Sequence, residues 1–457
     1  MNDAPVVVVL AAGQGSRMKS ALPKVLHPIG GRPMIARVLE TAGALGPTAL
    51  RVVYGHGGQR VPDALTDGEI RCYEQREQLG TGHALLQALP GIDDRARLLV
   101  LYGDVPLLRP ETLRALLRGC PGEGLAVLSV ELENPAGYGR IIRGADGGLL
   151  RIVEEKDAGI GERAIREVNT GIMTARAGHF RRWLQHVDNN NAQGEYYLTD
   201  CIELAVNEGT SAVAVICLDR EEVTGINDRA QLARCERVYQ RRQADRLMDS
   251  GVTLADPARL DVRGDVIAAS DAFIDVNVVL EGDVHLGENV KIGPNCLVRN
   301  ARIGAGSEIL PNSVIEDAII GDHCRIGPFA RVRPETRLGN GVHLGNFVEV
   351  KKSRISDLSK VNHLSYIGDT DVGTRVNIGA GTITCNYDGA RKYRTIIGDD
   401  AFIGSDTQLV APVRVGSGAT IGAGSTITRD APDGELTLSR SRQTTVEGWD
   451  RPRKERD

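Results

Sequence analysis

Between Ile274 and Ile427 an aliphatic residue returns every six positions, and few folds accept that period. The register runs Ile274, Leu280, Leu286, Ile292, Val298, Ile303, Ile309, Ile315, Ile320, Ile326, Val332, Leu338, Leu344, Val350, Ile355, Val361, Ile367, Val372, Ile378 and Thr384. After a break it resumes at Ile397, Ile403, Leu409, Val415, Ile421 and Ile427. A period of six fits neither an amphipathic helix nor the alternation of a half-buried strand. It marks a parallel β-helix, each hexad supplying one short strand and one corner. The step shortens to five after Val298, Ile315, Val350 and Ile367, and with Val332 and Thr384 these positions lie 17 or 18 residues apart. The shortening recurs once per three hexads, which describes a three-sided prism with its anchors stacked inside. Small residues two before the next anchor, such as Ser313 and Cys324, fill the remaining interior.

A chain of 457 residues is too long for one core, so two or three domains are expected. Glycine, 54 of 457 residues, is about 12% against a usual ~7% and suits many tight corners. A net charge of -5 argues against a dominant nucleic-acid surface. The eight cysteines form no CxxC pair and no Cys/His ligand spacing, as expected of free thiols in a reducing cytoplasm. No apolar run approaches membrane length. The run Val6 to Ala12 is short and lacks a basic flank, so it reads as a buried strand rather than a signal peptide.

That strand feeds Gly13-Gln14-Gly15-Ser16-Arg17-Met18 and then Pro23-Lys24. Glycines after a strand let backbone N–H groups approach a phosphate. The dinucleotide fingerprint is absent, because Met18 stands where its third glycine would be and no GK[ST] follows. Arg17 and Lys24 instead suit a site that neutralises a triphosphate during reaction. A second buried strand, Leu98 to Leu101, ends in Tyr102-Gly103-Asp104. A carboxylate at the C-terminal end of a parallel strand lies in the ligand crevice, which makes Asp104 a candidate Mg2+ ligand.

The stretch Leu10 to Met18 with Pro23-Lys24 resembles the signature of sugar-nucleotide pyrophosphorylases, and Gln78-Leu79-Gly80-Thr81-Gly82-His83-Ala84 resembles that family's nucleobase segment. Gly137-Tyr138-Gly139-Arg140, Val153-Glu154-Glu155-Lys156, Asn169-Thr170-Gly171, Gly194 to Asp200 and Gly225-Ile226-Asn227 follow in order. Over essentially the whole chain the pattern resembles the bacterial bifunctional N-acetylglucosamine-1-phosphate uridyltransferase / glucosamine-1-phosphate N-acetyltransferase family. The resemblance implies an α/β Rossmann-like nucleotidyltransferase domain followed by a left-handed parallel β-helix of hexapeptide repeats. It implies that Leu10, Ala11, Ala12, Gly13, Lys24, Tyr102, Gly103 and Asp104 bind UTP or UDP-N-acetylglucosamine. Gln75, Gly80 and Thr81 would lie on the uracil side. Gly139, Glu154 and Asn169 would lie on the sugar, with Mg2+ held by Asp104 and Asn227.

Asp228 to Ser250 reads as a helix carrying Leu232, Tyr239 and Leu247 among Arg, Gln and Glu, closed by Gly251. The expected domains are 1–227, the helical linker 228–250, the prism 251–437 and a tail 438–457, whose last residues from Asp450 are expected to be disordered. The segments around Val262 and Val266 are expected to form an irregular first coil. The prism is interrupted once, by the polar and basic stretch Cys385 to Arg394. Insertions in solenoids often carry the binding face. His363 falls two residues after the anchor Val361, at an exposed corner.

Hexapeptide acyltransferases use a prism histidine as general base, and imidazole titrates in the range needed to deprotonate an amine. The resemblance therefore implies catalysis by His363, with Arg333 and Lys351 on the phosphate of glucosamine 1-phosphate and Tyr366 and Asn377 on its sugar. Acetyl-CoA would lie along Ala380, Asn386, Tyr387, Ser405 and Ala423, with Arg440 near its phosphates and Lys392 assisting. It also implies a cytoplasmic homotrimer that makes UDP-N-acetylglucosamine for peptidoglycan and lipopolysaccharide, inserts in no membrane and binds no nucleic acid. Two other readings remain open at this point: a single-activity pyrophosphorylase with a scaffolding β-helix, and a non-catalytic regulator with the same two folds.

Overall fold

A computed structural model describes residues 4–65 and 69–454. The last three residues of the tail lie outside them. The chain divides into two compact units, residues 1–240 and 241–457.

The first unit is built on a nine-stranded sheet. Its strands are β1 (Val6–Ala11), β2 (Ala49–Tyr54), β3 (Ile70–Glu74), β4 (Arg97–Tyr102), β5 (Leu125–Glu131), β6 (Arg140–Arg143), β7 (Leu149–Val153), β8 (Glu167–Arg176) and β9 (Ala212–Cys217). The spatial order is β9-β5-β8-β4-β1-β2-β3, with β6 pairing both β8 and β7. Strands β4, β1, β2 and β3 are parallel, and β8 enters antiparallel to both β4 and β5. Every residue of β1 is buried, as its unbroken β-branched run requires of a strand covered on both faces. Val6, Val8 and Leu10 pack with Leu85, Phe180, Trp183 and Ile202 from the helices Thr81–Ala88, Ala177–Leu184 and Asp200–Asn207. Val7, Val9 and Ala11 pack with Ile35, Val38, Leu113 and Leu116 from Met34–Gly43 and Pro110–Gly119. A three-layer α/β sandwich results, and the C-terminal ends of β1 and β4 open together at its edge.

The second unit is a parallel β-helix. All 26 anchors of the hexad register are buried. They stack in three columns: Ile292 lies over Ile309, Ile326, Leu344, Val361, Ile378, Ile403 and Ile421 on one face. Val298 to Ile427 form the second column and Ile303 to Val415 the third. Ser313 and Cys324 are interior, as their positions predict. The first coil is irregular where it begins, at the 3-10 turn Pro257–Arg259, and regular beyond it. Leu260–Ala268 is a regular strand paired over nine residues with Val278–Leu286, because Leu260, Val262 and Val266 supply the same inward side chains as later coils.

The helix Arg229–Asp249 contributes Cys235 and Tyr239 to a cluster with Ile29, Met34 and Ile226, and Leu247 to the prism core. Among the described residues no helix is long and apolar enough to cross a membrane, and no disulfide joins any of the eight cysteines.

Candidate functional site

The loop after β1 is shaped by crowding on one side and space on the other. Gly15 has φ +59°, and a Cβ there would sit 2.7 Å from Cβ of Lys24, so both backbone and packing demand glycine. Gly13 has nothing within 4 Å of its Cβ position and faces open space. Met18 is buried, and its carbonyl accepts a hydrogen bond from Arg229 Nε at 3.2 Å. Arg17, between them, is exposed.

Lys24 Nζ lies 2.5 Å from Asp104 Oδ2 and 3.2 Å from Asn227 Oδ1. These side chains arrive from distant parts of the chain. Gly103 N donates to the Leu10 carbonyl at 2.9 Å, tying the ends of β4 and β1 together, and Ile226 N donates to the Asp104 carbonyl at 3.0 Å. The Lys24 and Asp104 side chains are only 13% and 17% exposed, so solvent screens the pair weakly. A carboxylate oxygen and an amide oxygen converging on one cation form a hard donor set, which fits Mg2+. Among the described residues no group of three His, Cys, Asp or Glu could hold a metal alone, so phosphate and water oxygens would have to complete such a site.

A cavity of about 610 Å³ opens above this cluster, lined by Leu10, Ala11, Ala12, Gly13, Lys24, Gln75, Gly80, Thr81, Tyr102 and Asp104. Gln14, Ser16, Gln78 and Glu195, which stand in the sequence motifs without an individual role, line it too, as does Gln193, which sequence reasoning missed. Gln75 is buried, and its Nε2 donates to the Gly80 carbonyl at 3.0 Å. Two motifs far apart in sequence are fastened here. Tyr196 N donates to Leu79 O, Gly82 N to Tyr196 O, and Leu198 N to Thr81 Oγ1 at 3.0 Å. That fastening brings Gln193 and Glu195 to the cavity, and no local signal reveals it.

Gly139, Glu154 and Asn169 gather beside it. Asn169 N donates to the Gly139 carbonyl at 2.8 Å, and Thr199 Oγ1 donates to Glu154 Oε1 at 3.0 Å. Burial pushes the Glu154 carboxyl above the usual carboxylate range, against the hydrogen bond from Thr199. Glu154 lines a second cavity of about 360 Å³ with Asp157, Tyr197 and Asp200. Burial, then the charge of Glu154, raises the Asp200 carboxyl to about 6. A Cβ on Gly139 would lie 2.9 Å from Ile152 Cγ2 and 3.2 Å from a Glu154 oxygen. Gly139→Ala is therefore expected to push aside Ile152 or the Glu154 carboxylate and to cost about 1–3 kcal/mol of stability, the usual scale of overpacking, read as a lower melting temperature in thermal denaturation.

The prism carries a separate cluster. His363 is exposed at the end of the strand Lys360–His363, and its Nδ1 lies 2.8 Å from Asn346 Oδ1 on the coil before. Arg333 Nη1 donates to Glu349 Oε1 at 2.7 Å. Direct contact with Lys392, then its charge, holds the Lys351 ammonium below the ordinary lysine value, with burial and Arg333 adding to the effect. Arg333 (paired with Glu349), Lys351 and Lys392 thus stand as one group, and Asp369 opposes the lowering at Lys351. Asp369 also accepts a hydrogen bond from buried Asn386 Nδ2 at 2.6 Å, which roots the Cys385–Arg394 insertion. The insertion folds back as a turn in which Tyr393 N donates to the Asn386 carbonyl, and it presents Tyr387 60% exposed. Tyr366 stacks above Glu349 in the ladder, and Asn377 above Lys360 on the neighbouring face.

Ala380, Ser405 and Ala423 form one column rising from His363. Gly381 N donates to the His363 carbonyl, Asp406 N to Ala380, Gly424 N to Ser405, and Arg440 Nη1 to Ala423 at 2.9 Å. Asn346 and Glu349 were missed by sequence reasoning. The signal was present, since each stands 17 residues before an expected site residue, His363 and Tyr366.

A nucleotide-sized cavity at the ends of two parallel strands, and a histidine and a cation cluster on a hexapeptide prism, define a two-unit transferase. Residues 7–167 match the MobA-like NTP transferase domain, residues 262–344 the GMPPB C-terminal domain, and residues 394–429 the bacterial transferase hexapeptide model (six repeats). The chain is 59% identical over 450 residues to the Bifunctional protein GlmU of Aromatoleum aromaticum, covering 98% of this chain and 99% of the relative. It is 58% identical over 452 residues to that of Methylococcus capsulatus, covering 99% and 98%. It is 57% identical over 450 residues to that of Ralstonia nicotianae, covering 98% and 99%. The chain belongs to the family of bifunctional GlmU proteins.

Proposed function

We propose that the prism acetylates glucosamine 1-phosphate from acetyl-CoA and that the α/β unit joins the product to UTP, giving UDP-N-acetylglucosamine and pyrophosphate. The observation that carries this reading is the pair of clusters: hard oxygen donors with an ammonium under a nucleotide-sized cavity on one unit, and, on the other, an imidazole held by Asn346 on a prism that also carries the group Arg333, Lys351 and Lys392.

In the acetyl step Arg333, Lys351 and Lys392 receive the sugar phosphate, and Tyr366 and Asn377 orient the ring. Nε2 of His363 takes a proton from the 2-ammonium. The freed amine attacks the thioester carbonyl, the C–S bond breaks as the new C–N bond is retained, and the nitrogen's second proton passes to the departing sulfur, so CoA leaves as its thiol. Acetyl-CoA runs along the Ala380–Ser405–Ala423 column, whose coils repeat about every 4.8 Å, with Asn386, Tyr387 and Arg440 at its flanks.

In the uridylyl step no general base is needed, because a sugar phosphate is largely ionised at neutral pH. Its oxygen attacks the α-phosphorus of UTP, and the bond to the β-phosphate breaks to release pyrophosphate. The chain supplies alignment and charge neutralisation. Lys24 and the backbone around Gly13 meet the phosphates, Arg17 is assigned to the leaving group although it stands outside the cavity lining, Gln75, Gly80 and Thr81 take the uracil, and Gly139, Glu154 and Asn169 the N-acetyl sugar. Mg2+ held by Asp104 and Asn227 would neutralise phosphate charge.

A homotrimer through the prism is part of the proposal. Phe329 and Phe347 stack with ring centroids 5.2 Å apart and are half exposed, with Leu364 next on the same corner. All three hold positive φ, a conformation bulky residues rarely adopt, and they expose apolar surface beside His363. Phe329→Ser combined with Phe347→Ser is expected to shift the sedimentation coefficient from trimer toward monomer. An unchanged coefficient would place the contact elsewhere.

The deciding assay is thiol release from acetyl-CoA on adding glucosamine 1-phosphate, without UTP or magnesium. Amine-dependent release supports the two-step reading. No release from a folded oligomer would leave a single-activity pyrophosphorylase on a scaffold.

A further inference from the structure

We infer that Asn346 is a positioning residue for acetyl transfer: its side-chain oxygen fixes the tautomer and direction of the His363 ring. The inference rests on the reading of His363 as general base. A base at an exposed corner faces two difficulties. Its ring turns freely, and a neutral imidazole distributes its proton between two nitrogens, of which one must be bare where the amine arrives.

The prism answers both through its register. Asn346 and His363 are paired residues on adjacent strands, His343–Asn346 and Lys360–His363. Each stands two after an anchor, Leu344 and Val361, that is fully buried. The coil geometry that stacks the anchors therefore also stacks the amide under the imidazole. Backbone bonds hold the corner, with Leu364 N donating to the Asn346 carbonyl at 3.1 Å and Gly381 N to that of His363 at 3.3 Å. Oδ1 of Asn346 lies 2.8 Å from Nδ1 of His363. A carboxamide oxygen only accepts, so Nδ1 carries the ring proton and Nε2 keeps its lone pair for the substrate.

The partner's neutrality matters as well. A carboxylate at this place would favour the imidazolium, the form that cannot act as a base. An amide orients the ring without charging it. Corner amides also stack elsewhere in this prism, as Asn277 Nδ2 does on Asn295 Oδ1 at 3.0 Å. A purely structural ladder is thus the alternative, and the experiment must separate the two.

Three measurements on the full chain do so. The side-chain 15N spectrum of the wild type, with the His363 signals assigned by their loss in His363→Gln, is expected to show Nδ1 protonated in the neutral ring. Asn346→Leu, which removes the acceptor at similar size, is expected to lower kcat for acetyl transfer about 10-fold or more, part of the ~10²–10⁴-fold a positioned base supplies. KM for both substrates should hold. Asn346→Asp, which restores an acceptor, is expected to recover kcat at a pH where the ring is neutral. A wild-type ring protonated on Nε2, or unchanged kcat in a folded Asn346→Leu, overturns the inference. If Asn346→Leu fails to fold, the wild-type spectrum and Asn346→Asp decide. Acetyl transfer surviving in His363→Ala would instead remove the general-base reading itself, whereas an inactive His363→Ala with a fully active Asn346→Leu removes only this inference.

Discussion

His363→Ala is expected to lower acetyl transfer by about 10²–10⁴-fold, the range a positioned general base contributes, while uridylyl transfer stays at the wild-type rate. The amine of glucosamine 1-phosphate arrives as an ammonium, which has no lone pair to offer a thioester. Water can remove that proton, but not in step with the attack. The cation cluster at Arg333, Lys351 and Lys392 is untouched by the change, so the sugar phosphate should still bind and the loss should fall on kcat rather than KM. Thiol release and pyrophosphate release, measured separately on the same preparation, check both halves. A variant that lost both activities would contradict two independent sites.

Asp104→Ala is expected to do the reverse. It removes the carboxylate that meets Lys24 at 2.5 Å and leaves a largely buried ammonium with only the neutral Asn227 oxygen opposite it. The expected loss of uridylyl transfer is on the order of 10²–10³-fold, the scale seen when one preorganised electrostatic group is deleted. Acetyl transfer should be intact. Magnesium titration of the variant is expected to need higher concentrations for half-maximal activity, since Asn227 alone remains of the donor pair. A variant with a normal rate and a normal magnesium requirement would exclude Asp104 from the site.

The prism was legible because its order is local. Each hexad writes the same inward side chain, and a recurring five-residue step marks the corner, so spacing alone located all 26 buried anchors. The strands β1 and β4 were legible for a related reason, as runs buried on both faces. The N-terminal cavity was half legible. Gly13, Lys24 and Asp104 stand in short motifs whose chemistry shows, whereas Gln193 and Glu195 reach the cavity only because Tyr196 is hydrogen-bonded to Leu79 and Gly82. Pairing between segments over a hundred residues apart leaves no mark in either one. The first coil was half legible: Pro257 marks the 3-10 turn that opens it, while the regular pairing of Leu260–Ala268 that follows is hidden by the break in the hexad.

The interruption at Cys385–Arg394 carries a consequence for how such a chain can change. Corner residues on successive coils are usually 17 or 18 positions apart, yet Thr374 and Asp399 are hydrogen-bonded corner partners 25 apart. Ile378 still lies over Ile403. The extra residues leave at one corner and return to it, and the coil above never senses them. A loop at that place shifts no anchor in the core, so beyond the buried root Asn386 its length and composition can vary while the stacking stays constant. Variation is thereby concentrated in one ten-residue window, in a scaffold that tolerates no one-residue slip anywhere within its strands.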